Sequence, residues 1–182
     1  MSIDAYSRSE KESHLHTIHY EIAMLIFCGQ QLDTLSPGTQ KAHFNAFLEC
    51  FLIHYRNLVE FFSGSRHRPA RRPGDTRDLS VADSNPWAGR SLSAAEIAEL
   101  QPPATELERR YFLDISQYLQ HCTERRFSEE KFWSYRNMYS ELRPVIKAFL
   151  RMFPSSTTGT QRTSVIGDGS NTATIQIVKW DF

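Results

Sequence analysis

The stretch FLIHYRNLVEFF, residues 51–62, places a histidine, an arginine and an asparagine within four positions of an otherwise apolar run. An imidazole can move protons, and a guanidinium beside an amide can hold an anion. His54, Arg56 and Asn57 are therefore the first candidates for a working site. On a helical wheel they separate. His54 shares a face with Cys50, Phe51, Leu58 and Phe61 at steps of three, four and seven, so it points inward. Asn57 lies over Ile53 and Cys50 at the edge of the same stripe, and Arg56 falls with Glu49 and Glu60, its i+4 ion-pair partner at the surface. The three could line a cleft. Alternatively, His54 and Asn57 hydrogen-bond across to a neighbouring helix while Arg56 is solvated. A buried imidazole without a partner would cost about 1–3 kcal/mol, and polar residues in a core are usually satisfied. Geometry favours the second reading.

Other residues offer weaker chemistry. Glu12, His16 and His19 fall at steps of four and three on one helical face, with His14 nearby, and could chelate a divalent metal. Three ligands on an exposed face with no fourth read instead as a solvated helix start, so neither metal nor cofactor is expected. Arg66, Arg68, Arg71 and Arg72 could grip phosphate, with Trp87 stacking on a base. The competing reading is a solvated loop with Trp87 packed on the protein, and a formal net charge of zero supplies no field for nucleic acid. Cys28, Cys50 and Cys122 lack CxxC spacing and sit among apolar neighbours, as reduced core cysteines do. No glycine-rich phosphate loop, nucleophile elbow or HExxH motif occurs.

The elements that must position these residues read as helices. Leu15, Ile18, Ile22, Leu25 and Ile26 give one from about Glu10 to Leu35, closed by the Pro-Gly turn LSPGTQ. A second, from Thr39 to about Phe62, is apolar round most of its circumference, which predicts the buried centre of a bundle. Residues 63–103 form a long connection holding five of the eight prolines. Within it, Ser93 and Glu96 fit a capping box for a short helix over Ala94–Leu100, which QPP should stop. A third long helix follows from Thr105 to Thr123. A fourth is capped by Ser128, with Glu129 and Glu130 complementing its dipole, and runs to Phe153; Pro144 should kink or divide it.

These readings give an all-α fold: an antiparallel bundle of four or five helices over residues 10–153, after a flexible N-terminus at 1–9. Residues 154–182, rich in Ser, Thr and Gly, read as a flexible tail whose last residues, TATIQIVKWDF, allow one strand. A chain of 182 residues with 40% apolar and 23% charged side chains suits one globular domain. The longest apolar run, IAMLIFC at 22–28, falls far short of the roughly 20 residues needed to span a bilayer. With no signal peptide in MSIDAYSRSEKESH, a soluble cytoplasmic protein without a membrane partner is expected.

Four pieces in order, FLIHYRNLVEFF, DLSVADSNPW, DISQYLQHCTERRF and FWSYRNMYSELRPVIKAFLRMF, resemble small bacterial proteins of the HEPN-like superfamily over about residues 41–153. Those proteins read as an HxRNLxxFF helix, a DDxxAxD loop and an RxNKxxxHLT helix. Asp78 and Asp83 match the acidic loop. The resemblance implies an antiparallel bundle, often a homodimer, and for catalytic members a metal-independent ribonuclease. In those, an arginine followed four to six residues later by a histidine stabilises phosphate charge while the histidine moves protons.

His121 aligns with that histidine. Asp114, Ile115 and Ser116 stand where the arginine should be, and Ser116 also replaces the usual asparagine. A carboxylate there repels phosphate. Arg110 lies about 16 Å before His121 along a helix, too far to share one phosphate. The expectation is therefore a non-catalytic HEPN-like bundle that binds a partner protein, RNA or nucleotide, perhaps as a homodimer. The alternative is a ribonuclease or toxin using His121 with a relocated arginine such as Arg56.

Overall fold

A computed structural model of the chain describes residues 8–64, 79–82, 90–119 and 131–154, with side chains from residue 14 onward. Among the described residues there are four helices and no strand: α1 (Arg8–Thr34), α2 (Lys41–Ser63), α3 (Ala94–Leu119) and α4 (Tyr135–Met152). No described helix is long and apolar enough to cross a membrane. The segments read as a flexible N-terminus and C-terminal tail lie outside the described residues, apart from the helical positions from Arg8 and Pro154.

The helices pack side by side, each antiparallel to its neighbour in sequence. Glu21 of α1 reaches His54 of α2, and Phe27 meets Phe47. Gln101 near the start of α3 donates to the Ser63 carbonyl at the end of α2, 2.7 Å away. Arg110 of α3 holds Glu141 of α4 at 2.7 Å, and Arg151 pairs with Glu99 further along. Asp33 at the end of α1 accepts from Tyr135 and Arg136 at the start of α4. α2 touches the other three helices, but it is not buried all round, since Asn45, Glu49, Ile53 and Asn57 stay exposed on one side. Phe51, Tyr55, Leu58 and Phe62 of α2 are fully buried with Ile22 and Leu25 of α1, Leu100 and Ile115 of α3, and Leu142 and Phe149 of α4.

α2 ends at Gly64, whose φ of 62° is left-handed and whose N–H bonds the Glu60 carbonyl at 3.1 Å. A Cβ there would meet Ser80 Oγ at 3.0 Å, so glycine is required both for conformation and for room. Val81 N–H then caps the Phe61 carbonyl. Residues 79–82 thus lie against the helix end, and Val81 satisfies one of its orphan carbonyls.

Two proline expectations are corrected. QPP does not stop a short helix: α3 runs unbroken through Pro102 and Pro103. Those prolines cannot donate to the carbonyls of Ala98 and Glu99. All four residues are exposed, so water can take the place of the lost donors. On the opposite face, Leu100 and Ala104 are fully buried one turn apart and hold both sides of the step in register. Pro144 likewise leaves α4 continuous, its unpaired Ser140 carbonyl belonging to an exposed residue. The predicted capping box is present at the start of α3. Ser93 N–H donates to Glu96 at 2.8 Å, and Glu96 N–H donates to Ser93 Oγ at 3.3 Å. The loop expected over 63–103 therefore ends before Ala94. α4 begins later than expected, at Tyr135 after Ser134, and Phe132 is not helical; Ser128, Glu129 and Glu130 lie outside the described residues.

Candidate functional site

The inward-facing His54 finds its partner on α1. Its Nδ1 lies 2.7 Å from Glu21 Oε2, and Asn57 Nδ2 donates to the same oxygen at 3.1 Å. The Tyr20 ring stands edge-on to the imidazole, with centroids 5.9 Å apart. His54 is 8% exposed, whereas Asn57 at the stripe edge is exposed. Both polar side chains thus bond across to a neighbouring helix, as the satisfied-core reading expects. Glu21 carries no motif that marks it in the sequence. Its signal was indirect: a carboxylate flanking the Ile18–Ile22–Leu25 stripe, where a buried histidine on the next helix demands an acceptor.

Arg56 corrects its part of that reading, because it is not simply solvated. Its side chain is 19% exposed, with the guanidinium 4.7 Å above the Phe112 ring of α3. Glu60 lies at 3.8 Å, and the Arg56 Nε is buried without a hydrogen-bond partner. One turn beyond Phe112, the Ser116 hydroxyl is also buried and unpartnered. Arg56 therefore clamps α2 to α3 through its flat face.

At the far end of α3, the Asp114 carboxylate is taken by Lys131. The Lys131 ammonium sits 5.2 Å from the Tyr118 ring centre and 4.8 Å from that of Trp133, and these rings meet edge to face at 6.0 Å. A cation between two π faces and a carboxylate is held from three sides. The chain following α3 returns to that helix at this point. The sequence carried no sign of this contact, since 131–134 reads as the first turns of the fourth helix. Beside the pair lies a cavity of about 150 Å³, walled by Leu48, Glu49 and Leu52 of α2, Leu119 and Tyr118 of α3, and Trp133.

The remaining candidates divide. His121 and the arginines Arg66, Arg68, Arg71 and Arg72 lie outside the described residues, as do Asp78, Asp83 and Trp87. Arg110 is committed to Glu141, which also accepts from the Tyr111 hydroxyl at 2.9 Å. His19 is not part of a solvated helix start: its Nε2 lies 3.0 Å from the Phe153 carbonyl, and burial pushes its pKa down against the opposing pull of that bond. Among the described residues no group of three side chains could hold a metal ion. Cys28 and Cys50 are free thiols facing each other between α1 and α2, and burial raises the Cys28 thiol pKa.

Comparison of the chain with protein-family models, with curated proteins and with solved structures finds no match.

Proposed function

We propose that this chain is a HEPN-like helical bundle without ribonuclease chemistry, which acts by binding another protein rather than by turning over a substrate. The observation that carries this reading is the closed pair at the end of α3. Phosphoryl chemistry needs a fixed, uncompensated positive charge beside the proton-transferring histidine. At position 114 the chain supplies a carboxylate, and the nearby cation, Lys131, is neutralised by it. Such a pair presents almost no net charge to an incoming phosphate.

The relocated-arginine alternative is weakened by the same reasoning. Arg56 would have to leave the Phe112 face and its Glu60 neighbour to reach a substrate. His54, on the same helix as Arg56, is bound by Glu21. A binding role instead makes use of what the bundle leaves at its surface: Ile53, Leu113 and Phe132 are large apolar residues at 47%, 61% and 90% exposure.

The test is incubation of purified protein with mixed RNA, alongside the His121→Ala variant. No cleavage, or equal trace cleavage by both proteins, is expected. Cleavage by the unaltered protein that disappears in His121→Ala would overturn the reading.

A further inference from the structure

We infer that Cys28 and Cys50 form a peroxide-responsive thiol pair, in which Cys50 is oxidised first and Cys28 then closes a disulfide joining α1 to α2. The site is separate from the histidine and arginine positions weighed above, and it does not depend on the protein-binding reading.

The packing of the two helices sets the pair. One position before Cys28, Phe27 meets Phe47 edge to face, with ring centres 5.9 Å apart. One position after it, Gly29 leaves the Phe51 ring so near that a Cβ there would stand 3.7 Å away. Cys50 lies between Phe47 and Phe51 on α2, so the same two contacts bracket both cysteines. Both are free thiols, and they are hydrogen-bond partners of each other. Two thiols held in contact by a packed interface react as an intramolecular pair, at an effective concentration far above that of a dissolved thiol.

The two sulfurs are not equivalent. Cys28 is fully buried, and that burial first, then the neighbouring Cys50 thiol, push its pKa up. It therefore stays protonated and out of reach of dissolved oxidants. Cys50 is only half-buried, and Ala46, Glu49 and Ile53 around it on α2 are exposed. Cys50 is the sulfur that hydrogen peroxide meets.

The chemistry then runs in two steps. The Cys50 thiolate attacks one peroxide oxygen, the O–O bond breaks, and the other oxygen takes up a proton and leaves as water. Cys50 is now a sulfenic acid. The Cys28 sulfur attacks the Cys50 sulfur, the S–O bond breaks, and the departing hydroxide leaves as water with the Cys28 proton. Two thiols and one hydrogen peroxide thus give one disulfide and two waters, both sulfurs being oxidised and the peroxide reduced. A dithiol reductant reverses the closure by exchange.

The experiment treats the full chain with hydrogen peroxide, graded from equimolar to large excess, then blocks remaining thiols and maps the peptides by mass spectrometry. Dimedone, which traps sulfenic acids, is added in a parallel series. Cys50→Ser and Cys28→Ala are treated alongside, their helical content checked by circular dichroism. The unaltered chain is expected to give a Cys28–Cys50 cross-linked peptide that dithiothreitol dissolves. Cys28→Ala should accumulate the dimedone adduct on Cys50, and Cys50→Ser should lose its Cys28 thiol at least about tenfold more slowly. An unaltered chain whose Cys28 stays reduced, whatever becomes of Cys50, overturns the inference. So does a disulfide that runs through Cys122 in place of this pair, or Cys28 oxidation that proceeds as fast without Cys50. The cross-link is read on the unaltered chain, so a variant that fails to fold leaves the test intact.

Discussion

Replacing Glu21 with alanine should destabilise the protein by about 2 kcal/mol, and most of that loss should disappear once His54 is phenylalanine. One carboxylate oxygen serves two donors, the His54 imidazole at 2.7 Å and the Asn57 amide at 3.1 Å. Their fates on removal differ. Asn57 is exposed, and water replaces the lost acceptor at little cost. His54 is 8% exposed and packed against Tyr20, so its ring N–H is left largely dry. An unsatisfied buried donor costs about 1–3 kcal/mol. For a chain of this length, 1 kcal/mol corresponds to roughly 2–4 °C, so the midpoint should fall by roughly 4–8 °C.

The assay is a double-mutant cycle of Glu21→Ala and His54→Phe, read by urea and thermal unfolding. Phenylalanine keeps the edge-on contact with Tyr20 and has no donor to strand. In that background Glu21→Ala should cost only about 0.5 kcal/mol, since Glu21 then serves the hydrated Asn57 alone. A coupling of about 1–2 kcal/mol is therefore expected. Equal costs in the two backgrounds would show that the imidazole does not depend on Glu21, and the satisfied-core account of His54 would fail.

Three further outcomes follow from single positions. Tyr55→Phe should raise stability by about 1 kcal/mol in urea unfolding, because the Tyr55 hydroxyl is buried with no hydrogen-bond partner; a loss would reveal a bond to that oxygen. Gly64→Ala should cost about 1–2 kcal/mol for the left-handed φ and the 3.0 Å approach to Ser80 Oγ, whereas Gly38→Ala, whose Cβ would meet Ser36 Oγ at an ordinary 4.0 Å, should be nearly neutral. Glu96 is held at about 2, well below its ordinary 4.5, first by the Arg90 guanidinium and then by the Ser93 amide and hydroxyl. The native state therefore binds fewer protons there than the unfolded chain. Its contribution is complete above pH 4.5 and drains away as pH falls towards 2, so Glu96→Gln should flatten the acid side of a stability–pH curve in that window.

What could be read from the sequence was whatever depends on residues close together in the chain. The capping box needs only Ser93 and Glu96, three positions apart, and it forms. The apolar stripe that turns His54 inward is a property of one helix, and it holds. Prolines were misread because the local rule counts the missing donor without asking where the orphaned carbonyl points. Ala98 and Glu99 face water, and the buried Leu100–Ala104 edge outweighs the loss. The partners were beyond reach for a different reason. Periodicity says that His54 needs an acceptor but not that it comes from 33 residues earlier. The family resemblance implies a cation where Asp114 stands, but nothing local says that Lys131 returns to pair with that carboxylate. A lone Asp114 could be relieved by one substitution, whereas the observed arrangement ties the carboxylate to an ammonium wedged between Tyr118 and Trp133. Placing arginine at 114 would set two cations side by side and dislodge the segment that carries Phe132. Rebuilding a phosphate site there therefore means dismantling the contacts that hold Lys131 against Asp114, Tyr118 and Trp133 as well.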